Sequence, residues 1–480
     1  MIERLRKSIG SYTKAMHDEH RSLNPLAILA VVIMICTLMT YIIPAGQYDR
    51  YTDETTGIEL IDPDSFRFIE RSPASPLSIF TSLTRGMQNS AETIFYLLII
   101  GGMFGIVNAT AALNVGIANF LRLIKGKELI IIPLLMIMFG CGSAFCANFE
   151  EYLVFIPIIL ALCITSGFDS LTAIGIIFMA ATAGYGGGMT NAFTVGRAQE
   201  IAGLPLYSAF RFRTEIFICL LLASIIYVTV RANIIKKTPK LSLVYENDRK
   251  YNADKHLNLN KIPKLTRRQF ITLAVFSAGM IYSVCMVIIK QYYVDELSGI
   301  FLATGILCGI CGKLSVNKIC SSFVKGCSDM LLPCLVIGSV NAAIVLFSGS
   351  NVLDTILYLF AHIIAIVPQS TEAVMMFILH DIFNVIVPSG SAQATVTMPL
   401  MIPLADQAGI TRQTAVIAYQ LGDALTNVLA PTGGEVLAAV AICKIPYSKW
   451  VRYLLPLFGI WFVISVIFVT IAEQIHLGPF

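Results

Sequence analysis

The stretch V-P-S-G-S-A-Q-A-T-V-T-M-P-L-M-I-P-L-A-D, residues 387–406, decides how this chain is read, together with G-D-A-L-T-N-V-L-A-P-T-G-G, residues 422–434. Proline, glycine, serine and threonine stand there inside sequence apolar enough to cross a membrane. In hydrocarbon each unsatisfied backbone group costs several kcal/mol, so irregular backbone survives at that depth only when it is buried in protein or lines a wet cavity. Paired breaks in corresponding halves of a chain point to a transporter binding site. The first half carries a matching pair: F-G-C-G-S-A-F-C-A-N-F-E-E at 139–151 and G-Y-G-G-G-M-T-N-A-F-T-V-G at 184–196.

Composition supports this. The chain is 56% apolar and only 13% charged, with a mean hydropathy of +0.75. A soluble chain carries roughly 25% charged residues. A helix needs about 20 apolar residues to cross a bilayer, and about 12–13 segments of the chain meet or approach that as spans, hairpin arms or broken helices. The net charge of +4 is therefore read loop by loop and does not signal nucleic acid. The twelve cysteines sit mainly in or beside apolar runs, so they read as small buried residues and not as a disulfide framework.

Charge places the loops. Residues 1–24 are polar and basic-leaning (Arg4, Arg6, Lys7, Lys14, Arg21), which predicts a cytoplasmic N-terminal segment, and they do not read as a cleavable signal peptide. Residues 25–45 form the first span, and the acidic segment 46–75 is placed outside. Residues 76–90 are amphipathic and fit the membrane interface. The loop 231–268 holds eleven Lys or Arg against Glu246, Asp248 and Asp254, so it is cytoplasmic and divides the halves.

The second half repeats the first. Thr81-Ser-Leu-Thr-Arg-Gly-Met87 matches Ser321-Ser-Phe-Val-Lys-Gly-Cys327 at an offset of 240 residues. Each copy continues through apolar segments to a Gly-Ser break (Gly142-Ser143, Gly390-Ser391). A Thr-Asn with nearby glycines follows (Thr190-Asn191, Thr426-Asn427), and then a Leu-Pro or Ile-Pro before a terminal span (Pro205, Pro446). The first repeat is read as 76–231 and the second as 314–480, joined by the basic loop 232–268 and a span pair at 269–313. The charges invert the two repeats, with Arg211 and Arg213 standing on the wrong side. The fold expected is an all-α polytopic membrane protein with two inverted-topology repeats, re-entrant hairpins and broken helices.

Candidate site residues follow from the breaks. Ser389, Gly390 and Ser391 read as the tip of a hairpin; a short helix starting there presents free N–H groups to a carboxylate, and Thr395 adds a hydroxyl. A plain serine-glycine packing turn is the alternative. Asn427, Pro431, Thr432, Gly433 and Gly434 form a break whose freed carbonyls suit a cation or solute, or a kink without a ligand. Thr190, Asn191 and Ser143 are the first-half counterparts. Ionisable residues inside a membrane default to pathway or coupling roles, so Glu150, Glu151 and Asp423 are candidates for a solute cation or a coupling proton. His380 and Asp381 join them, and Arg197 is a candidate partner for a carboxylate. No two-histidine helical pair of the zinc type and no nucleotide loop is present, which argues against an enzyme, a metal centre and an ATP-driven pump.

The residues S-G-S-A-Q-A-T-V-T-M-P-L-M-I-P-L-A-D-Q-A-G-I-T-R-Q and A-P-T-G-G-E-V-L-A-A-V-A-I-C-K-I-P-Y-S-K-W, with F-E-E at 149–151 and T-Y-I-I-P-A-G-Q-Y at 40–48, resemble the YfcC branch of the DcuC-like C4-dicarboxylate carriers, within the ion transporter superfamily. The resemblance covers nearly the whole chain. It implies a multi-pass secondary carrier of the bacterial inner membrane, with no cofactor and with Na⁺, H⁺ or no ion coupled to transport. The solute it implies is a small carboxylate-bearing molecule, a basic amino acid exchanged for ornithine in this branch and C4-dicarboxylates among relatives. Dimers among superfamily members make a homodimer the implied assembly. By motif, Glu150 and Glu151 occupy the family's paired acids, Ser389–Ser391 its second hairpin tip and Pro431–Gly433 its broken helix. The first-half break departs from the family's N-P-F, reading Asn191-Ala192-Phe193, and leaves Gly186–Gly188 to open the helix.

Overall fold

The computed structural model describes residues 25–52, 59–113, 115–116, 119, 127–146, 149–254, 265–290 and 294–478. The N-terminal segment 1–24 and part of the basic loop lie outside the described residues. Seven helical stretches among them are long and apolar enough to cross a membrane, and shorter apolar helices accompany them.

The chain opens with α1 (Pro25–Ile42). The acidic segment that follows is folded and not a bare loop. Strands β1 (Gly46–Gln47) and β4 (Arg67–Phe68) pair antiparallel, as do β2 (Arg50–Thr52) and β3 (Glu59–Ile61). The segment caps a second-half helix: Phe66 stacks on Tyr358 at 4.0 Å, and the Tyr48 N–H donates to Asp354. That partner, more than 300 positions away in sequence, is what its charge pattern could not show.

The repeats then interlock. Helices α2 (Pro76–Asn89) and α3 (Ala91–Ala109) belong to the first half. The hairpin and broken helix of that half are built from α4 (Ile131–Cys146), α5 (Ile156–Thr165), α6 (Ser170–Ile174), α7 (Ala180–Gly187) and α8 (Arg197–Ile201), and the long α9 (Phe210–Lys237) follows. Helix α10 (Tyr245–Asp254) lies in the basic loop, and α11 (Arg267–Lys290) and α12 (Val294–Cys311) form the linking pair. The second half supplies α13 (Val316–Asp329), α14 (Leu331–Gly349), α15 (Leu353–Ile366), α16 (Glu372–Ile386), α17 (Gly390–Ala408), α18 (Arg412–Thr426), α19 (Gly434–Ile442) and α20 (Tyr447–Gln474).

The repeated motif explains how the halves join. In α2 the buried residues are Ser82 and Gly86; in α13 they are Ser322 and Gly326, the same motif positions. Helix α2 crosses second-half α14, where a Cβ on Gly86 would stand 2.5 Å from the Gly338 carbonyl. Helix α13 crosses first-half α3, where a Cβ on Gly326 would stand 2.0 Å from the Gly101 carbonyl. Small residues let apolar helices approach at backbone distance where no hydrophobic drive separates helix from lipid. The amphipathic reading of 76–90 thus resolves into a narrow small-residue stripe.

The hairpins open toward opposite ends. The start of α4 lies at the end of the molecule that carries the basic loop, where Lys236 at the foot of α9 pairs with Glu128 at 2.8 Å. The start of α20 lies there too, through Lys449 on Asn247 at 2.8 Å. Helices α17 and α18 meet at the other end, where Arg412 pairs with Asp406 at 2.7 Å. The start of α9 is at that same far end, since α9 carries its last-turn lysines back to the basic loop. Arg211 and Arg213 therefore do lie on the far side. Arg211 is exposed and pairs with Glu215 at 3.3 Å, and Arg213 is fully buried. Exposed Ile218, Leu222, Ile226 and Val230 form an i, i+4 stripe along α9 that faces lipid, opposite the buried Leu220, Leu221, Ser224 and Val228.

Candidate functional site

The first break is made by Gly188. It ends α7 in the left-handed region (φ 52°, ψ 47°), a conformation glycine adopts at no steric cost. Asn191 then restarts the chain: its Oδ1 accepts from the Phe193 and Thr194 N–H groups at 3.0 and 3.1 Å. Proline is not needed, which answers the departure from N-P-F. Thr190 binds the break to the hairpin, its N–H donating to the Ala144 carbonyl at 3.2 Å and its hydroxyl to the Phe145 carbonyl at 2.7 Å.

The second hairpin tip is helical from Gly390 onward. The helix that starts there runs for 19 residues with Pro399 and Pro403 inside it, and is not the short helix expected from sequence. Ser389 occupies the cap position without a side-chain cap bond, and its carbonyl accepts from Gln393 at 2.7 Å. Gly390 is buried at the meeting of the two halves. A Cβ placed on it would stand 2.4 Å from the Tyr185 hydroxyl, 2.5 Å from Asp423 Oδ2 and 2.5 Å from the Thr194 methyl. The Tyr419 hydroxyl donates to the Gly390 carbonyl at 2.6 Å and fixes the tip.

Asp423 is the centre of this cluster. It is 0% exposed, and neither carboxylate oxygen makes a hydrogen bond of normal length and angle among the described residues. Tyr185 and Asn427 are the polar side chains beside it. Asn384 braces the backbone below, donating to the Asp423 carbonyl at 2.6 Å and to Asn427 Oδ1 at 2.9 Å. Gln420, one turn before Asp423, donates to the Tyr185 carbonyl at 2.6 Å and keeps its own Oε1 unbonded. The first hairpin reaches the same place: the Phe149 ring lies 5.5 Å from that of Tyr185. Neither Tyr185 nor Asn427 carries a counter-charge, and a buried carboxylate without one costs several kcal/mol unless it holds a proton or a cation. The acid is thus enclosed by residues of both hairpins and both breaks.

Other sequence candidates are distributed around it. Thr432 and Ser143 are buried with unbonded hydroxyls. Glu150 and Glu151 open a 3₁₀ segment, Glu150–Phe155, directly after Phe149; their side chains lie outside the described residues. Ser391 and Thr395 are exposed and bond each other, the Thr395 hydroxyl donating to the Ser391 carbonyl at 2.8 Å, so they are not brought to Asp423. Of the carbonyls expected to be free in the second break, that of Val428 accepts from Trp450 Nε1 at 2.8 Å and that of Leu429 accepts from the Tyr447 hydroxyl. At Gly433 a Cβ would meet the Asn427 carbonyl at 2.1 Å, so that glycine serves close backbone packing. Arg197 pairs with exposed Glu200 at 2.7 Å and is a surface ion pair. Asp381 accepts from the Thr426 hydroxyl, and the His380 ring lies among Gln393, Thr397 and Tyr419. The sequence reading missed Tyr185, Thr194, Asn384 and Gln420. Gln420 had a signal, because it lies three residues before an intramembrane acid and so shares its helix face.

Two inverted repeats with opposed hairpins, broken helices and a buried acid between them define a multi-pass membrane transporter. The sequence model described as DcuC, C4-dicarboxylate anaerobic carrier, matches residues 24–474, and the chain belongs to that family. It is 30% identical over 485 aligned positions to a protein of Escherichia coli K12 named "Putative basic amino acid antiporter YfcC", covering 93% of this chain and 96% of that one. It is 25% identical to an uncharacterised protein of Haemophilus influenzae, covering 94% and 96%. Among solved structures it is similar to the YdaH transporter of Alcanivorax borkumensis (15% identity, TM-score 0.42, covering 95% of this chain and 99% of that one). It is also similar to MtrF of Neisseria gonorrhoeae (13% identity, TM-score 0.42, covering 94% and 96%).

Proposed function

We propose that this chain is a secondary carrier of the bacterial inner membrane, with its N-terminus in the cytoplasm, that exchanges small amino acids bearing a cationic side chain. Arginine and ornithine are the pair to test. The observation that carries this reading is Asp423: a carboxylate buried between both hairpins, with the neutral Tyr185 and Asn427 side chains beside it and no ion pair among the described residues. A solute ammonium or guanidinium answers that charge, and Gln420, Thr432 and the hydroxyl of Tyr185 offer polar groups around it. The name carried by the Escherichia coli relative agrees with a basic solute. A one-for-one exchanger of this kind needs no coupling ion. A coupled carrier would use the same carboxylate for Na⁺ or H⁺.

The family's description favours a second reading, C4-dicarboxylate uptake or exchange. Two solute carboxylates call for cationic and amide donors, and the described side chains nearest Asp423 do not provide a cation there. Counterflow in proteoliposomes separates the readings. Labelled arginine should accumulate only against an internal basic amino acid, and Asp423→Asn at matched expression should reduce that exchange at least tenfold. Trans-stimulation by succinate and not by ornithine would move the protein to the dicarboxylate reading. Solute binding without flux would make it a receptor.

A further inference from the structure

Arg213 stands in the first turn of α9, 0% exposed and among the largest fully buried side chains. Its Nε donates to the Ser208 carbonyl at 3.2 Å. Its Nη1 and Nη2 have no hydrogen-bond partner, and it makes no ion pair among the described residues. The other arginines nearby are neutralised: Arg197 by Glu200, Arg211 by Glu215 and Arg412 by Asp406. Buried charges are paired or bound, because an unpaired one costs several kcal/mol.

The surroundings are built and polar. Gln199 Nε2 donates to the Ser208 carbonyl at 3.2 Å and to its Oγ at 2.9 Å. The Ser208 hydroxyl in turn donates to Gln413 Oε1 at 3.0 Å. That leaves Gln413 Nε2 buried and without a partner, a second orphaned donor anchored on the same serine as Arg213. The backbone of Arg213 lies beside the first break, its carbonyl 3.2 Å from the Cβ position of Gly187. Gln413 shares α18 with Asp423, ten residues on and about 15 Å along the axis. The two orphaned donors therefore form a site separate from the acid.

We infer that Arg213 and Gln413 form a buried monoanion site that takes a carboxylate group or a chloride ion. The planar guanidinium fork matches a carboxylate edge-on with two parallel N–H bonds, and the Gln413 amide adds a third donor. The two sources are the carboxylate of a transported solute and a resident inorganic ion. The inference does not depend on which solute Asp423 accepts.

The test is thermal unfolding of the purified full-length protein in detergent, with HEPES sulfonate as the balancing anion. Adding sodium chloride or sodium acetate should raise the melting temperature of the wild type saturably, by about 2–4 °C. Arg213→Gln should lose that rise, and Arg213→Lys, a point charge without the fork, should shift its midpoint to higher concentration. Arginine and agmatine, the same cation without the carboxylate, separate the sources. Loss of stabilisation by arginine with retention by agmatine in Arg213→Gln assigns the solute carboxylate to the site. Stabilisation by chloride, with both ligands changed equally, assigns a resident ion. A wild type whose melting temperature ignores chloride, acetate and arginine overturns the inference, whether or not the variants fold.

Discussion

Replacing Gly390 by alanine puts the hairpin tip to a direct test. The added Cβ would meet the Tyr185 hydroxyl at 2.4 Å, Asp423 Oδ2 at 2.5 Å and the Thr194 methyl at 2.5 Å. Each must retreat by about 1 Å to reach ordinary contact. Those atoms are side-chain ends, but Thr194 and Asp423 are fully enclosed and Tyr185 nearly so. Overpacking of this size costs about 1–3 kcal/mol. The displaced groups are those that surround the orphaned carboxylate, so the cost falls on solute binding before it falls on the fold. Converted to rate, that is a loss of roughly 5- to 150-fold in exchange. The assay is arginine/ornithine counterflow in proteoliposomes with the protein quantified in the same vesicles, and unfolding in detergent as the fold control. Gly459→Ala in α20 is the matched comparison, because nothing lies within 4 Å of its Cβ position, and it should exchange normally. Equal exchange by Gly390→Ala and Gly459→Ala would refute the placement of the tip against Asp423.

Trp450→Phe removes the donor to the Val428 carbonyl in a fully buried position and should destabilise by about 1–3 kcal/mol, read as a lower melting temperature. Gly326→Val should separate α13 from α3, because its Cβ already falls 2.0 Å from the Gly101 carbonyl; the expected result is loss of folded protein on size-exclusion chromatography, with Gly349→Ala unaffected. Asp248 in the basic loop accepts from the Ser170 N–H at 3.0 Å and its hydroxyl at 2.5 Å, and burial raises its carboxyl to about 6, with Asp169 adding to the rise and Lys449 opposing it. The folded state thus holds that proton more tightly than the unfolded chain. Its contribution is fully present below the ordinary value of 3.8 and is lost as pH rises from there through about 6. Asp248→Asn should flatten that part of the melting-temperature profile.

The breaks were legible because membrane physics makes them conspicuous. Pro-Thr-Gly inside apolar sequence has few structural excuses, and the second hairpin tip and both broken helices stand where the breaks predicted; the first-half Gly142-Ser143 does not break the chain, because α4 stays helical through it to Cys146. The repeat was legible for a similar reason: Gly86 and Gly326 recur at one offset because each must pass a backbone of the opposite half. What the breaks could not give was direction. Gly390 and Ser391 are neighbours in sequence, yet one sits against Asp423 and the other is exposed, and only the helical phase of α17 decides between them. The carbonyls of the second break read as free because their donors, Tyr447 and Trp450, come from a later helix.

The least legible residues show where charge reading fails. Arg213 looked like an orientation error, a positive residue on the outer side of the inverted scheme. Exposed basic residues report which side of a membrane a loop occupies; a fully buried one reports what lies beside it. Its neighbour Arg211, two positions away, is exposed and paired, and no one-dimensional count distinguishes the two. The same limit holds at Asp423, which the sequence offered as one acid of three, with Glu150 and Glu151. Burial without a counter-charge is what sets these two groups apart from paired ones, and that property belongs to packing. Gln413 and Asp423 lie about 15 Å apart along α18, and Arg213 of α9 joins Gln413 through Ser208, so the buried cation and the buried acid stand beside different turns of α18.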